Sequence, residues 1–135
     1  MKKNLKMTPE GTKDFLFAEC SAMDYICTSI EKVFVKGGFK RVITPALEFY
    51  DVFSIPSSGI SQESMFKTTD NKGRLLVARP DSTLPIARMV STRLKNNTLP
   101  VRLYYKQAVY RNNPSLAGRR NEFLQICLLY TSPSP

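Results

Sequence analysis

The stretch that decides the fold reads Leu76-Val77-Ala78-Arg79-Pro80-Asp81-Ser82-Thr83-Leu84-Pro85-Ile86-Ala87-Arg88. An apolar run leads into a polar turn, and a helical pattern begins directly after that turn. The pattern predicts a strand followed by a helix, with one carboxylate and two hydroxyls at the junction. Polar groups at such a junction either cap the helix or converge on a small ligand. Taken alone, the turn at 81–83 is best explained as a helix cap.

The segments on either side of this junction predict the α+β class. Helices are expected at 18–36 and 83–94, and the first is amphipathic, with Gly37-Gly38 at its end. The apolar positions predicted to form its buried stripe are Met23, Ile26, Cys27, Ile30, Val33 and Phe34. Strands are expected at 39–43, 65–69, 74–79, 101–111 and 121–130. Because strands outnumber crossover helices, the sheet is expected to be mainly antiparallel.

Composition excludes several classes of function. The chain has 135 residues, of which 42% are hydrophobic, so one domain with its own core is expected. It has no histidine, which removes the commonest general base, and its three dispersed cysteines predict neither a metal site nor a disulfide framework. No apolar run resembles a membrane span or a signal peptide, and we therefore expect a soluble, cytoplasmic protein.

Positive charge is concentrated in the second half of the chain. The formal net charge is +9, and no acidic residue stands between Asp81 and Glu122. Such a field favours an anionic partner, which could be a nucleotide, a phosphorylated metabolite, RNA or an acidic protein surface. For Arg88, Arg93 and Lys95 we expect a solvated helix face. Glycine-loop and aromatic-platform RNA motifs are absent, so a basic nucleic-acid-binding module is the weakest of the alternatives.

Two later segments change the interpretation of the turn. If the strands at 101–111 and 121–130 pair, Arg111 lies at the end of one strand and Gln125 projects from the other. An arginine can bind a carboxylate or phosphate through two hydrogen bonds, a glutamine can bind a polar group, and Asp81 could bind an ammonium group. We therefore expect the acidic turn and Arg111 to open into a shared cleft on a single curved sheet.

These segments, in this order, resemble the catalytic core of class II aminoacyl-tRNA synthetases, in particular the histidyl-tRNA synthetase branch. Residues 38–48 are similar to the first signature motif of the class, and the resemblance places Pro45 at a dimer interface. Val109-Tyr110-Arg111 and the loop after it are similar to the second motif, whose arginine binds the α-phosphate of ATP. The resemblance covers residues 8–126. It implies a mainly antiparallel sheet flanked by helices, here truncated.

Departures from the synthetase pattern favour a non-catalytic branch of this family, the regulatory subunits of ATP phosphoribosyltransferase. Residues 79–83 have the sequence Arg-Pro-Asp-Ser-Thr. The resemblance sets this against Arg-Pro-Glu-Gly-Thr in the amino-acid-binding loop of the synthetases. Asn113 stands where a synthetase has a glutamate that positions ATP, and Asn121 replaces an arginine. Because adenylate formation depends on prearranged charges, this chemistry is expected to be impaired. A fragment of an active histidyl-tRNA synthetase is the first alternative.

The resemblance to regulatory subunits implies partners and a ligand. It implies no cofactor, a homodimer, and assembly with a short-form ATP phosphoribosyltransferase catalytic subunit, whose feedback inhibition by histidine it would transmit. The residues expected to line a histidine-like pocket are Asp81, Ser82, Thr83, Arg111 and Gln125, with Arg119 as a weaker candidate. A vestigial pocket held only by packing is the alternative.

The end of the chain departs from the family in another way. Where the family usually runs Gln-x-Gly-x-Glu, this sequence has Gln125-Ile126-Cys127-Leu128-Leu129. We expect residues 1–126 to be the N-terminal part of a synthetase-like core, and residues 127–135 to be a non-native tail. Since such a fragment lacks part of its sheet, apolar surface is expected to be exposed along 121–130 and along the long helix.

Overall fold

The computed structural model describes residues 5–98, 100–114 and 118–131. Within this part of the chain the helices are α1 (Ala18–Lys36) and α2 (Thr83–Arg93). The strands are β1 (Lys40–Arg41), β2 (Leu47–Phe49), β3 (Lys67–Thr69), β4 (Leu75–Ala78), β5 (Val101–Tyr110) and β6 (Glu122–Thr131). Short 3-10 turns lie at Tyr50–Val52, Pro56–Ser58 and Gln62–Ser64. The predicted α+β class and both helices are confirmed.

The strands form two sheets, so the expectation of a single curved sheet was wrong. One sheet has the order β2-β4-β3 and the other has the order β1-β5-β6. Pro80 stands two residues after the end of β4 and has no N–H with which to continue the hydrogen bonds between strands. This gives a physical reason why the two sheets are separate. The sheets still touch at this point, because the Tyr110 N–H donates to the Arg79 carbonyl oxygen at 3.0 Å.

The long hairpin β5–β6 organises the second sheet. Its ten residue pairs run without a bulge from Val101↔Thr131 to Tyr110↔Glu122, and all are antiparallel. The two-residue strand β1 pairs with β5 in parallel, the one parallel pairing in the described part of the chain. Because side chains alternate along a strand, Tyr104 faces α1, whereas Tyr105 faces α2. The hairpin therefore presents two distinct surfaces.

The hydrophobic core has two centres. Phe53, Met65 and Val77 are buried beside the first sheet, and Ile86 of α2 is buried against Leu103 and Tyr105 of β5. The prolines on either side of the turn, Pro80 and Pro85, are also fully buried. Burial of both prolines fixes the start of α2 against the sheets.

Helix α1 packs on the hairpin over only part of its apolar stripe. Phe34 packs against Tyr104, with ring centroids 5.5 Å apart, and Cys27 is buried. Ile26 and Val33 are 56% and 67% exposed, so the prediction that the whole stripe is buried was wrong. No described element covers that side of the helix. The expected exposure along the helix and the last strand is confirmed, with Leu124, Leu128 and Tyr130 exposed.

Arg88 corrects another expectation. Its guanidinium donates from Nε to the Glu48 carboxylate at 3.1 Å, and the Nη2–Oε2 distance is 3.0 Å. Glu48 is only 6% exposed, and this ion pair joins α2 to β2. Arg88 is therefore not part of a solvated face, although Arg93 and Lys95 are exposed as predicted.

All three cysteines are free thiols. Within the described ranges no group of three acidic, cysteine or histidine side chains is arranged to hold a metal ion. No helix in the same part of the chain combines the length and the apolar character that a membrane span needs. Strand β6 continues to Thr131, while residues 132–135 lie outside the described residues, and the non-native origin of 127–135 stays a prediction.

Candidate functional site

Arg79 anchors the turn that the sequence singled out. The residue is 7% exposed, and its guanidinium donates to the carbonyl oxygens of Ala108 (Nε, 2.6 Å) and Thr44 (Nη1, 2.8 Å). Its own N–H donates to the Ala46 carbonyl oxygen at 2.9 Å. Burial lowers the pKa of this guanidinium, because the charged form loses hydration. Arg79 thus joins β5 to the segment that contains Pro45.

Asp81, Ser82 and Thr83 have different environments. The Asp81 carboxylate accepts the N–H of Thr83, the first residue of α2, at 2.9 Å, whereas the side chain of Ser82, the N-cap residue, makes no capping bond. Ser82 is fully buried, and its hydroxyl accepts a hydrogen bond from Gln107 Nε2 at 2.7 Å. Asp81 is half-buried, and Thr83 is exposed. The two outer residues of the turn can reach a ligand, whereas the Ser82 hydroxyl faces the interior.

Gln107 is a buried residue of this region that the sequence did not indicate. Its Nε2 donates to the Thr44 hydroxyl at 2.9 Å as well as to Ser82, and its Oε1 accepts the Thr44 N–H at 3.3 Å. These partners lie 63 and 25 positions away in sequence. The one available signal was that Gln107 is polar although it shares a face of β5 with the buried apolar side chains of Leu103 and Val109. Gln107 connects the turn to the Pro45 segment.

Gln125 faces Gln107 across the hairpin, but its side-chain oxygen has no hydrogen-bond partner among the described residues. The two residues are register partners on the same face of the β5–β6 pair. Gln125 Oε1 is buried and has no hydrogen-bond donor among the described residues. Buried polar atoms in folded proteins nearly always have a partner, because losing water without replacement costs free energy. An unpartnered acceptor on this surface therefore indicates a place where a donor from a ligand could bind.

Arg111 lies beside the turn, as the sequence predicts. Its Nε donates to the Pro80 carbonyl oxygen at 3.0 Å, and its guanidinium lies over the Phe123 ring, 5.2 Å from the centroid. No carboxylate of the described residues lies within salt-bridge distance of it. The structure thus brings Arg111 next to the residue that precedes Asp81, with a positive charge that no described carboxylate neutralises.

The Tyr105 side chain is buried on the same side of the hairpin. Burial raises its pKa, the neighbouring Cys127 thiol and the Asp81 charge raise it further, and a hydrogen bond from Thr83 opposes the rise. The phenol therefore stays protonated at neutral pH. The turn faces the same side of the hairpin as Gln125, because Ser82 is bonded to Gln107, the register partner of Gln125.

Arg119 and Pro45 complete the set of predicted residues. Arg119 is exposed, and it lines an open depression together with Arg111, Asn113 and Arg120. Pro45 is exposed beside the bonds that Arg79 makes to Thr44 and Ala46.

The surface combines charges that suit a zwitterion. Asp81 offers a negative group at the turn, and Arg111 offers a positive one bonded to Pro80 beside it. A small amino acid presents an ammonium group and a carboxylate, which these groups can bind in a complementary way.

Comparison with known proteins shows which family the chain resembles. The family model described as histidyl-tRNA synthetase matches residues 11–130. An ATP phosphoribosyltransferase regulatory subunit of Clostridium acetobutylicum is 44% identical over 120 residues, which are 89% of this chain and 30% of that protein. The chain therefore spans about a third of the length of this relative.

Solved structures show the same fold. One is described as an ATP phosphoribosyltransferase regulatory subunit/histidyl-tRNA synthetase from Bacillus halodurans; its TM-score is 0.80 at 33% identity, over 92% of this chain and 32% of that one. A histidyl-tRNA synthetase from Nostoc has a TM-score of 0.77 at 24% identity, over 91% of this chain and 28% of that one. The second likeness is one of fold alone. The predicted synthetase-like architecture is confirmed.

Proposed function

The chain belongs to the histidyl-tRNA synthetase family, and on that premise we propose that it is part of a regulatory subunit of ATP phosphoribosyltransferase. In this role it is not catalytic. It assembles in the cytoplasm with a short-form catalytic subunit, which transfers the phosphoribosyl group from phosphoribosyl pyrophosphate to N1 of ATP. The regulatory subunit supports this first step of histidine biosynthesis and transmits inhibition by histidine. The names of the similar proteins support this proposal over a nucleic-acid-binding module.

The ligand of the surface described above is, in this proposal, histidine. The observation that carries it is the buried, unpartnered Oε1 of Gln125, which would accept a hydrogen bond from the ligand. Asp81 binds the ammonium group and Arg111 the carboxylate, while Thr83 lies at the edge. Ser82 contributes indirectly, since its hydroxyl accepts the bond that fixes Gln107.

The neutral residues Asn113 and Asn121 support a role without adenylate chemistry. Both side chains are uncharged amides, so neither offers a charge to a nucleotide, and both make hydrogen bonds to the backbone of the chain. Without a prearranged set of charges the transition state of adenylate formation is poorly stabilised.

An active histidyl-tRNA synthetase is the second candidate, because the matching family model carries that description. The two candidates differ in the product they form. Aminoacylation of histidine tRNA by a protein that contains this chain would support the synthetase and contradict the proposal. The regulatory-subunit proposal would be supported if the protein does not aminoacylate histidine tRNA and if it increases ATP phosphoribosyl transfer by an added short-form catalytic subunit.

Assembly gives a direct test of the partner. We expect the purified chain to co-elute with a short-form catalytic subunit in size-exclusion chromatography with light scattering. Self-association through the segment around Pro45 is expected as well, and Pro45→Glu should weaken it by introducing like charges into a symmetric contact. Arg93→Glu, on an exposed position of α2, is the matched control. Elution of both proteins separately at all concentrations would contradict the assembly.

A further inference from the structure

We infer that Asn121 is a positioning residue for Arg111, and that it links the N-terminal turn at Glu10–Gly11 to the binding site. The inference rests on the proposed function, because it concerns the residue that would bind the carboxylate of the ligand. Asn121 stands at the start of β6 and is 8% exposed. It touches no group that would bind ligand directly, and it acts through the backbone on either side of Arg111.

All four hydrogen-bonding groups of Asn121 are used. Its backbone carbonyl oxygen accepts the backbone N–H of Arg111 at 2.8 Å, and its backbone N–H donates to the Gly11 carbonyl oxygen at 2.7 Å. Its Nδ2 donates to the Glu10 carbonyl oxygen at 3.1 Å, and its Oδ1 accepts the Asn113 N–H at 3.1 Å. One buried amide therefore joins three segments that are distant in sequence.

Asn113 completes the connection on the other side of Arg111. Its N–H also approaches the Arg111 carbonyl oxygen at 3.0 Å, and its Nδ2 donates to the Arg120 carbonyl oxygen at 3.0 Å. The backbone of Arg111 is thus held before and after its Cα, while its side chain is held by Pro80. A guanidinium fixed in this way loses little conformational entropy on binding a carboxylate.

Gly11 shows how closely the N-terminal turn approaches Asn121. Its φ is +73°, a conformation that favours glycine, and a Cβ at this position would lie 2.6 Å from Asn121 Cγ. The turn cannot carry a side chain here without moving Asn121. We call the group formed by Glu10, Gly11, Asn113 and Asn121 the amide clasp.

The clasp predicts a specific loss of carboxylate recognition. Asn121→Ala removes the side-chain bonds to Asn113 and Glu10. The backbone on either side of Arg111 is then held less firmly, and binding of histidine weakens. Histamine, which lacks the carboxylate, should bind both proteins equally. By calorimetry we expect the histidine Kd of Asn121→Ala to rise about tenfold, the effect of weakening one charge-assisted hydrogen bond, and the histamine Kd to change less than about twofold. A merely structural role would weaken both ligands alike.

Gly11→Ala disturbs the clasp from the opposite side and should give the same selective loss. Gly73→Ala is the matched control, because Gly73 also has a positive φ (+77°) but a Cβ there would meet nothing within 4 Å. Should Asn121→Ala fail to fold, Asn113→Ala, which removes only the bond to Arg120 and a long contact, is measured instead. It should show a smaller change of the same sign.

The outcomes separate the inference from the proposal on which it rests. If the unmodified chain binds no histidine, the proposed ligand is wrong and the role of Asn121 falls with it. If the unmodified chain binds histidine and the clasp variants bind it equally well, only the role of Asn121 is wrong. Parallel losses of histidine and histamine in the clasp variants would also overturn it.

Discussion

The two facing glutamines of the hairpin should respond oppositely to the same substitution. Gln107 and Gln125 are register partners, and methionine has nearly the shape of glutamine without its polar groups. Gln107→Met removes three hydrogen bonds, two to Thr44 and one to Ser82. Gln125→Met removes a buried oxygen that has no described donor. The pair is therefore matched in residue type and in position on the sheet.

The magnitudes follow from the partners that each substitution leaves behind. Thr44 and Ser82 are 3% and 0% exposed, so water cannot replace the lost amide. With about 1 kcal/mol for each of three bonds, and more where a buried group stays unpartnered, Gln107→Met should lower the free energy of unfolding by about 3 kcal/mol. Gln125→Met should leave it unchanged or raise it by up to about 1 kcal/mol, because an unpartnered acceptor is removed.

Urea unfolding followed by far-UV circular dichroism measures both effects. Histidine adds a second readout, because a ligand that binds only the folded chain raises its apparent stability. We expect histidine to stabilise the unmodified chain and to stabilise Gln125→Met much less. A Gln125→Met variant that is destabilised as strongly as Gln107→Met would refute the reasoning, since it would show that Gln125 has a structural partner.

Three further outcomes follow from ion pairs and exposed surface. Arg88→Met should lower the free energy of unfolding by about 3 kcal/mol in urea titrations, because it leaves the buried Glu48 carboxylate without its partner; an unchanged midpoint would contradict this role. The hydrogen bond from Lys106 holds the pKa of Glu31 below its usual 4.5. The ionised form thus favours folding above that pH, and this contribution disappears as the pH falls through the lowered pKa. Glu31→Gln should therefore flatten the acid side of the stability profile, and a profile parallel to that of the unmodified chain would count against it. Leu128→Lys, on the exposed edge strand β6, should reduce concentration-dependent association in light scattering, whereas persistence of the association would show that another surface is responsible.

The elements that depend on local pattern could be predicted from the sequence. Helix α1 has the predicted bounds, and the hairpin strands β5 and β6 lie within one or two residues of theirs. These segments carry strong periodicity and clear turn signals, which act over a few residues. The proximity of Arg111 to the turn could be predicted only through the resemblance to a known core, because Arg111 and Pro80 lie 31 positions apart.

Features that depend on long-range pairing could not be predicted in the same way. The division into two sheets depends on which strand β5 meets, and Arg88 reaches Glu48 across 40 positions. The function of Gln107 likewise appears only when Thr44 and Ser82 are brought together by the fold. A polar residue in a strand does not by itself indicate whether it is solvated or buried with partners.

Calorimetric titration of histidine into the unmodified chain and into Arg111→Ala tests the central claim most directly. If Asp81 and Arg111 form one site for a small amino acid, the unmodified chain should bind histidine and the variant should bind it at least about tenfold more weakly, as expected for losing a charge-assisted contact to a carboxylate. Equal affinity for both proteins would contradict the claim, because the guanidinium beside Pro80 would then have no part in binding.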